Sequence, residues 1–228
     1  EGRYEMGSIM KALTMAAGID SGAVTPATTY NDVGCIHPSG KTVCNYDLKA
    51  RGVIPMQEVL NHSLNLGASF VADKTGYATF TRYMRAFGFG EKRGIDLPNE
   101  VTGDLSTLGT GTGPAVNYDT ASFGQGVSVS PVEMIRALSA LANGGVLPSP
   151  HVVTGVRLPS GITRTITATS GPQVLSTSTV QTVTNMLVTV YDKALLDGAI
   201  KQEHYSIAAK TGTAQIAIPG AGYSPDKY

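Results

Sequence analysis

Gly7-Ser8-Ile9-Met10-Lys11-Ala12-Leu13-Thr14-Met15-Ala16-Ala17-Gly18 is apolar on nearly every face, which predicts a helix buried inside a domain rather than laid on its surface. Its polar residues therefore need a reason to be there. Ser8 follows a glycine at the expected N-terminus, where free backbone N–H groups and the helix dipole favour developing negative charge. Lys11 lies one turn later on the same face. Hemmed in by Ile9, Met10, Leu13 and Met15, its amine loses solvation, and its pKa falls toward the range where it accepts a proton. Together they read as a serine nucleophile with its own base. The competing reading is a helix cap and a lysine reaching solvent, and the pattern alone is cheap: Ser224-Pro225-Asp226-Lys227 repeats it in what reads as an ordinary turn.

Working outward, the 228 residues suffice for a large core, and 17 basic residues balance 17 acidic ones, so nothing steers the chain to nucleic acid. No apolar run approaches the roughly 18 residues of a membrane span. In Cys35-Ile36-His37-Pro38-Ser39-Gly40-Lys41-Thr42-Val43-Cys44, a two-residue turn at Ser39-Gly40 pairs residue 36 with 43 and 35 with 44. The two sulfurs then face each other, either as a disulfide or as two reduced thiols. A bridge would imply an oxidising compartment.

Residues 19–54 read as loop and ribbon, with Pro55 opening a short helix through His62. Asn65 is placed as the cap of a helix over 66–73 that ends at Gly76, and a further helix runs from 79 to 87. Residues 88–129 are glycine-dense and read as one long site-serving loop. Ser130-Pro131-Val132-Glu133 is a capping box that opens an apolar helix ending at Asn143-Gly144-Gly145. Segments 151–158 and 162–168 suggest a surface hairpin, 179–196 a helix, and 206–218 a buried strand. On that strand Lys210 and Gly212 share a face, and a glycine there admits a close backbone or ligand. The earlier Lys74-Thr75-Gly76 reads as a helix end. Histidines offer no competing triad, and His62 reads as structural.

Ser8-x-x-Lys11, Ser63-x-Asn65 and Lys210-Thr211-Gly212, in that order, resemble the three signature motifs of penicillin-binding proteins and serine β-lactamases. Lys210-Thr211-Gly212-Thr213-Ala214-Gln215, Phe123-Gly124-Gln125-Gly126 and the stretch from Ser130 to Gly145 are similar to the class B, monofunctional transpeptidases, and the likeness covers essentially the whole chain. The resemblance implies an α+β fold, helices packed on a five-stranded antiparallel sheet. Two strands before the first motif and two after the third are not in this sequence, so residues 1–228 are expected to be a partial domain supplying mainly the central strand. An upstream membrane anchor and a pedestal domain are expected beyond it, on the extracytoplasmic face of a bacterial membrane.

The resemblance further implies a peptidoglycan D,D-transpeptidase that β-lactam antibiotics acylate. Ser8 would attack the carbonyl between the two terminal D-alanines of a stem peptide, and Lys11 would take its proton. Ser63 would relay a proton to the departing nitrogen, tuned by Lys11 and Lys210, while Asn65 would hold Lys11 and the donor's amide. Lys210, Thr211, Gly212 and Thr213 form the substrate-binding strand, where Lys210, Thr211 and Thr213 would hold the terminal carboxylate. The N–H groups of Ser8 and Thr213 would make the oxyanion hole. No cofactor or metal is called for, and a polytopic glycosyltransferase is the implied partner. The rival readings are a β-lactam-sensing receptor or division scaffold, a D,D-carboxypeptidase, and a serine β-lactamase. The last needs a water-activating carboxylate, for which Glu100 and Glu133 are candidates outside the recognisable pattern.

Overall fold

The computed structural model describes residues 2–92, 94–167, 169–218 and 222–224. A 3-10 turn, Gly7–Ile9, runs into the helix α1, Met10–Asp20, whose residues from Met10 to Gly18 are all buried. The expectation from its all-round apolar sequence holds: α1 is buried, packed against four other helices, those at 65–75, 77–86, 115–122 and 177–189.

Strand β1 (Thr29–Asp32) leads into a hairpin of β2 (Cys35–Ile36) and β3 (Val43–Cys44), followed by β4 (Gly52–Pro55), which returns antiparallel to β1. Cys35 faces Cys44 and Ile36 faces Val43, in the expected register, and the two cysteines are joined as a disulfide. Ser39 and Gly40 both take positive φ, 52° and 72°, as a tight hairpin turn demands.

Helix α2, Met56–Asn61, starts one residue later than the sequence suggests. Pro55 stays extended, paired with Thr29, and takes the N-cap position instead. Helices α3 (Asn65–Thr75) and α4 (Tyr77–Ala86) follow, separated by Gly76 at φ 80°, so Lys74-Thr75-Gly76 is the helix end it was read as. Asn65 is not the cap of α3: Leu64 holds that position and Asn65 is the first helical residue.

Residues 88–129 are not one loop, because α5, Ala115–Ser122, forms within them and packs on α3. The helix buries Tyr118, Asp119, Ala121 and Ser122, and this mixed polar and apolar set hides any period. Next comes α6, Pro131–Ala142, with its capping box complete: the Glu133 N–H donates to Ser130 Oγ at 3.2 Å and the Ser130 N–H to Glu133 Oε2 at 2.7 Å.

The expected surface hairpin is formed by β6 (Gly155–Arg157) and β7 (Thr163–Thr165), flanked by a second pair, β5 (Val146–Pro148) with β8 (Ser170–Gln173). Helix α7, Thr177–Thr189, is capped by Ser176 and packs against α1 and α6. A π turn, Val190–Ala194, carries it on.

The buried strand expected over 206–218 is a correction. Only β9, Ala217–Ile218, is paired, with β10, Gly222–Tyr223, and Ser206 to Ile216 run without strand pairing and half-buried or exposed. A strand needs a lateral partner for its backbone groups, and among the described residues the segment's link to the helices is the Ala209 N–H on Leu187 O at 3.4 Å. The strands described therefore pair two by two, with helices as the main packing layer, and the five-stranded sheet is not present among them. Pro225-Asp226-Lys227 of the duplicate motif lie outside the described residues. No helix among those described is long and apolar enough to cross a membrane.

Glu133 does more than cap. Its Oε1 also accepts the N–H groups of Gly90 and Gly103, at 2.9 and 3.0 Å, pinning the glycine-rich loop to α6. Glu133→Ala is expected to lower unfolding free energy by about 3 kcal/mol or more, since buried donors lose their acceptor. Ser130→Ala, which removes one cap bond, is expected to cost about 1 kcal/mol. Urea unfolding of the two variants checks the order.

Candidate active site

Three separated stretches meet above the start of α1. The Ser8 Oγ lies 2.9 Å from Lys11 Nζ, as the one-turn spacing requires. Lys11 is 1% exposed, and its amine also donates to the carbonyl of Ser63 at 2.6 Å and approaches Ser63 Oγ at 3.2 Å. From the other side, Lys210 Nζ donates to Ser63 Oγ at 2.8 Å and to the carbonyl of Thr211 at 3.1 Å. Ser8, Lys11, Ser63 and Lys210 thus form one continuous chain of polar contacts.

Local structure explains each position. Ser63 sits in the turn between α2 and α3 with φ 53°, a left-handed conformation that a serine adopts only when its surroundings enforce it. That twist turns both its carbonyl and its hydroxyl to the amine of Lys11. Gly7 has φ 57° and its N–H donates to Gly124 O at 3.0 Å. A side chain at Gly7 would collide with the backbone of Thr213, and one at Gly212 with the Ile9 side chain. The turn that carries Ser8 is therefore gripped by two backbones, the Gly124 loop and the Lys210-Thr211-Gly212-Thr213 segment.

Burial pushes the Lys11 amine well below its usual pKa, and the charge on Lys210 pushes it further the same way. Lys210 is more open, and burial lowers it to about 8. The ring of Phe123 lies 6.0 Å from Lys11 Nζ and helps to wall it from water.

Of the residues expected here, Asn65 behaves differently. Its amide donates to the carbonyl of Cys44 at 2.8 Å, while the contacts of the Lys11 amine are with Ser8 and Ser63. Thr211, Gly212 and Thr213 lie exposed along the edge of the cleft. His62 turns away to Glu58, at 3.1 Å. Sequence reasoning missed a second cluster beside the nucleophile: Glu5 Oε1 accepts the Gly126 N–H and the Tyr223 hydroxyl, both at 3.0 Å. Burial raises the Glu5 carboxyl, and burial with the nearby Glu5 raises the Tyr223 hydroxyl to about 12. The density of glycine around Gly124 and Gly126 was the available signal. Among the described residues no group of His, Cys, Asp and Glu is arranged to hold a metal ion.

The family model of the penicillin binding protein transpeptidase domain matches residues 1–228. Penicillin-binding protein PbpB of Mycolicibacterium smegmatis is 31% identical over 99% of this chain and 36% of its own length. Peptidoglycan D,D-transpeptidase MrdA of Acinetobacter baumannii is 28% identical over 95% of this chain and 34% of its own. The chain thus spans about a third of the length of these curated relatives. The crystal structure of penicillin-binding protein 3 of Mycobacterium tuberculosis, complexed with aztreonam, superposes with a TM-score of 0.87 at 28% identity, covering 99% of this chain and 52% of that one. Matched along its whole length in sequence, and over nearly all of it in fold, the chain belongs to the transpeptidase-domain family of penicillin-binding proteins.

Proposed function

We propose that this chain carries the catalytic site of a peptidoglycan D,D-transpeptidase, which crosslinks stem peptides through an acyl-enzyme on Ser8 and is trapped by β-lactams at the same atom. The observation that carries the reading is the polar chain from Ser8 through Lys11 and Ser63 to Lys210. The MrdA relative is named for this activity, and the mycobacterial neighbour is complexed with a β-lactam.

The chemistry runs from one end of that chain to the other. Charged Lys210, with Thr211 and Thr213, binds the donor's terminal carboxylate at the cleft edge. This sets the carbonyl of the terminal D-Ala–D-Ala bond over Ser8 Oγ. Neutral Lys11 takes the Ser8 proton as the C–O bond forms, a step that a positioned base commonly speeds about 10²–10⁴-fold. The N–H groups of Ser8 and Thr213 hold the oxyanion, each such donor being worth about 3 kcal/mol. Ser63, in contact with both lysines, passes the proton to the leaving D-alanine nitrogen as the C–N bond breaks. An amine of a neighbouring stem then attacks the ester carbonyl, forming the crosslink and returning the proton to Ser8. Asn65 serves by holding the Ser63 turn to the ribbon.

The rival β-lactamase reading lacks support, because the carboxylates suggested for water activation are engaged elsewhere. Glu133 accepts N–H groups of Gly90, Gly103 and Ser130, and Glu100 accepts that of Gly94. The Cys35–Cys44 bridge suits an oxidising, extracytoplasmic site of action. Membrane anchoring and a glycosyltransferase partner belong to this proposal through the family resemblance alone, and the partial domain expected from the sequence fits with the chain's share of its relatives.

Intact-mass measurement of the full-length protein after incubation with benzylpenicillin is expected to reveal a persistent adduct, lost in Ser8→Ala. Absence of an adduct on folded protein, or rapid drug hydrolysis with free enzyme, would overturn the reading.

The acylation rate should also be bell-shaped in pH. It rises as Lys11 loses its proton, since only the neutral amine is a base. It falls as pH passes about 8, where Lys210 loses the charge that holds the carboxylate. Lys210→Arg, which stays cationic, is expected to abolish the descending limb, as a stopped-flow pH series would test.

A further inference from the structure

Helix α3 begins beside the Ser63 hydroxyl, yet its own N-cap residue, Leu64, has no side chain able to satisfy the first free N–H groups. The disulfide-closed ribbon supplies the cap instead. Asn45, which is 1% exposed, accepts the Leu66 N–H on Oδ1 at 3.2 Å. Leu66 is the second residue of α3, the donor that a capping side chain ordinarily takes. One residue earlier, Cys44 offers its carbonyl to the Asn65 amide at 2.8 Å.

The ribbon end of this link is fixed as firmly as the helix end. Asn45 Nδ2 donates to both oxygens of buried Asp32, at 2.8 and 3.0 Å, and to Lys49 O at 3.3 Å. The Asn45 N–H donates to Gly34 O at 2.9 Å. Asp32 Oδ1 also takes the Gly34 N–H at 3.3 Å, and Arg51 stands 3.8 Å from Oδ2. The Cys35–Cys44 disulfide closes the hairpin immediately before Asn45. The Asn45 amide is thus held to the ribbon by its nitrogen and joined to α3 by its oxygen.

We propose that Asn45, held by Asp32 and the Cys35–Cys44 ribbon, is a positioning residue that caps α3 from outside and so sets the left-handed Ser63 turn against Lys11 and Lys210. The link is physical: the Ser63 carbonyl and hydroxyl reach Lys11 only while Ser63 keeps its φ of 53°, and the next residues are tied at Asn65 and Leu66. Without the cap, α3 can fray by a turn and release the strained residue. A shift of about 1 Å in such a site costs up to about 10²-fold in rate.

This inference rests on the acylation reading of the site, and its test separates the two. The rate of benzylpenicillin acylation is measured from pH 5 to 10 on the full-length protein and on Asn45→Ala, Asp32→Ala with Asn45→Ala, and Asp32→Asn. Asn45→Ala is expected to react about tenfold more slowly or worse. Its ascending limb is expected to move to higher pH, as Lys11 regains water. The groups facing Lys11 are Ser8, Ser63, Phe123 and the one charged neighbour that shifts it, Lys210, all retained in the variants.

The double variant removes the carboxylate that Asn45→Ala leaves buried without its amide. It is expected to regain stability while staying slow and shifted, and it carries the test if the single variant fails to fold. Asp32→Asn, which keeps the Asn45 bond to Leu66, is expected to stay within about threefold of the parent, a difference below that of one hydrogen bond. Parent-like rate and pH limb in the double variant would overturn the inference, as would an equal loss in Asp32→Asn. A parent that forms no adduct would overturn the acylation reading together with this one.

Discussion

A lysine amine placed inside an apolar helix is the constraint on which the site depends. Burying Lys11 among Met10, Leu13 and Met15 of α1 makes its charged form costly, and it compensates by contacts with groups that cannot move freely. The carbonyl of Ser63 at 2.6 Å is the shortest of these. For that carbonyl to point inward, Ser63 must adopt a left-handed backbone, and for Ser63 to hold it, both adjoining helices must be fixed. The packing of α3 on α1, and of α2 on α3, is thus tied to one nitrogen atom.

The same demand reaches Ser8 through backbone contact rather than side chains. Gly7 brings Ser8 to the end of the helix while its backbone touches Gly124 on one side and Thr213 on the other. A methyl group at Gly7 would run into the Thr213 backbone, and one at Gly124 into the backbone of Gly7. The Ser8 turn and the Thr213 segment can therefore lie backbone to backbone, because nothing larger than hydrogen separates them at Gly7. The Glu5 carboxyl, bonded to Gly126 and Tyr223, stitches the same three segments together just outside the cleft.

Short-range patterns were legible in the sequence, and long-range ones were not. The buried character of α1, the capping box at Ser130, the Cys35–Cys44 register and the helix end at Gly76 are each decided within about ten residues, and all stand in the structure. Asn65 was misplaced as a cap because the true cap of α3, Asn45, is 21 residues away, and a local rule has no access to it. Helix α5 escaped because it is enclosed on polar and apolar sides alike, burying Asp119 beside Tyr118. Asp119 pays for that enclosure in a pKa raised to about 6 by burial and by Asp73. The stretch from Ser206 to Ile216 has the composition of a strand, yet pairing is a property of neighbours rather than of composition. Of the site itself, Ser8 with Lys11 was readable from spacing, while the convergence of Ser63 and Lys210 on them required the resemblance to a family.

Two amines share the hydroxyl of Ser63, Lys11 at 3.2 Å and Lys210 at 2.8 Å, and both carrying charge so close would be unfavourable. Their surroundings decide which one yields. Lys11 is enclosed, walled by Phe123, and depressed by Lys210 as well as by burial, whereas Lys210 is only partly covered and its lowering has burial as its cause. Lys11 is therefore the amine pushed toward its neutral form by both causes, and Lys210 the one pushed by burial. Lysines of identical intrinsic chemistry are set apart here by their depth and by the charge of one acting on the other, with the Ser63 hydroxyl between them. Exchange the depths and the order of the two amines would exchange with them, which is why the apolar faces of α1 matter to this pair as much as the hydroxyl it shares.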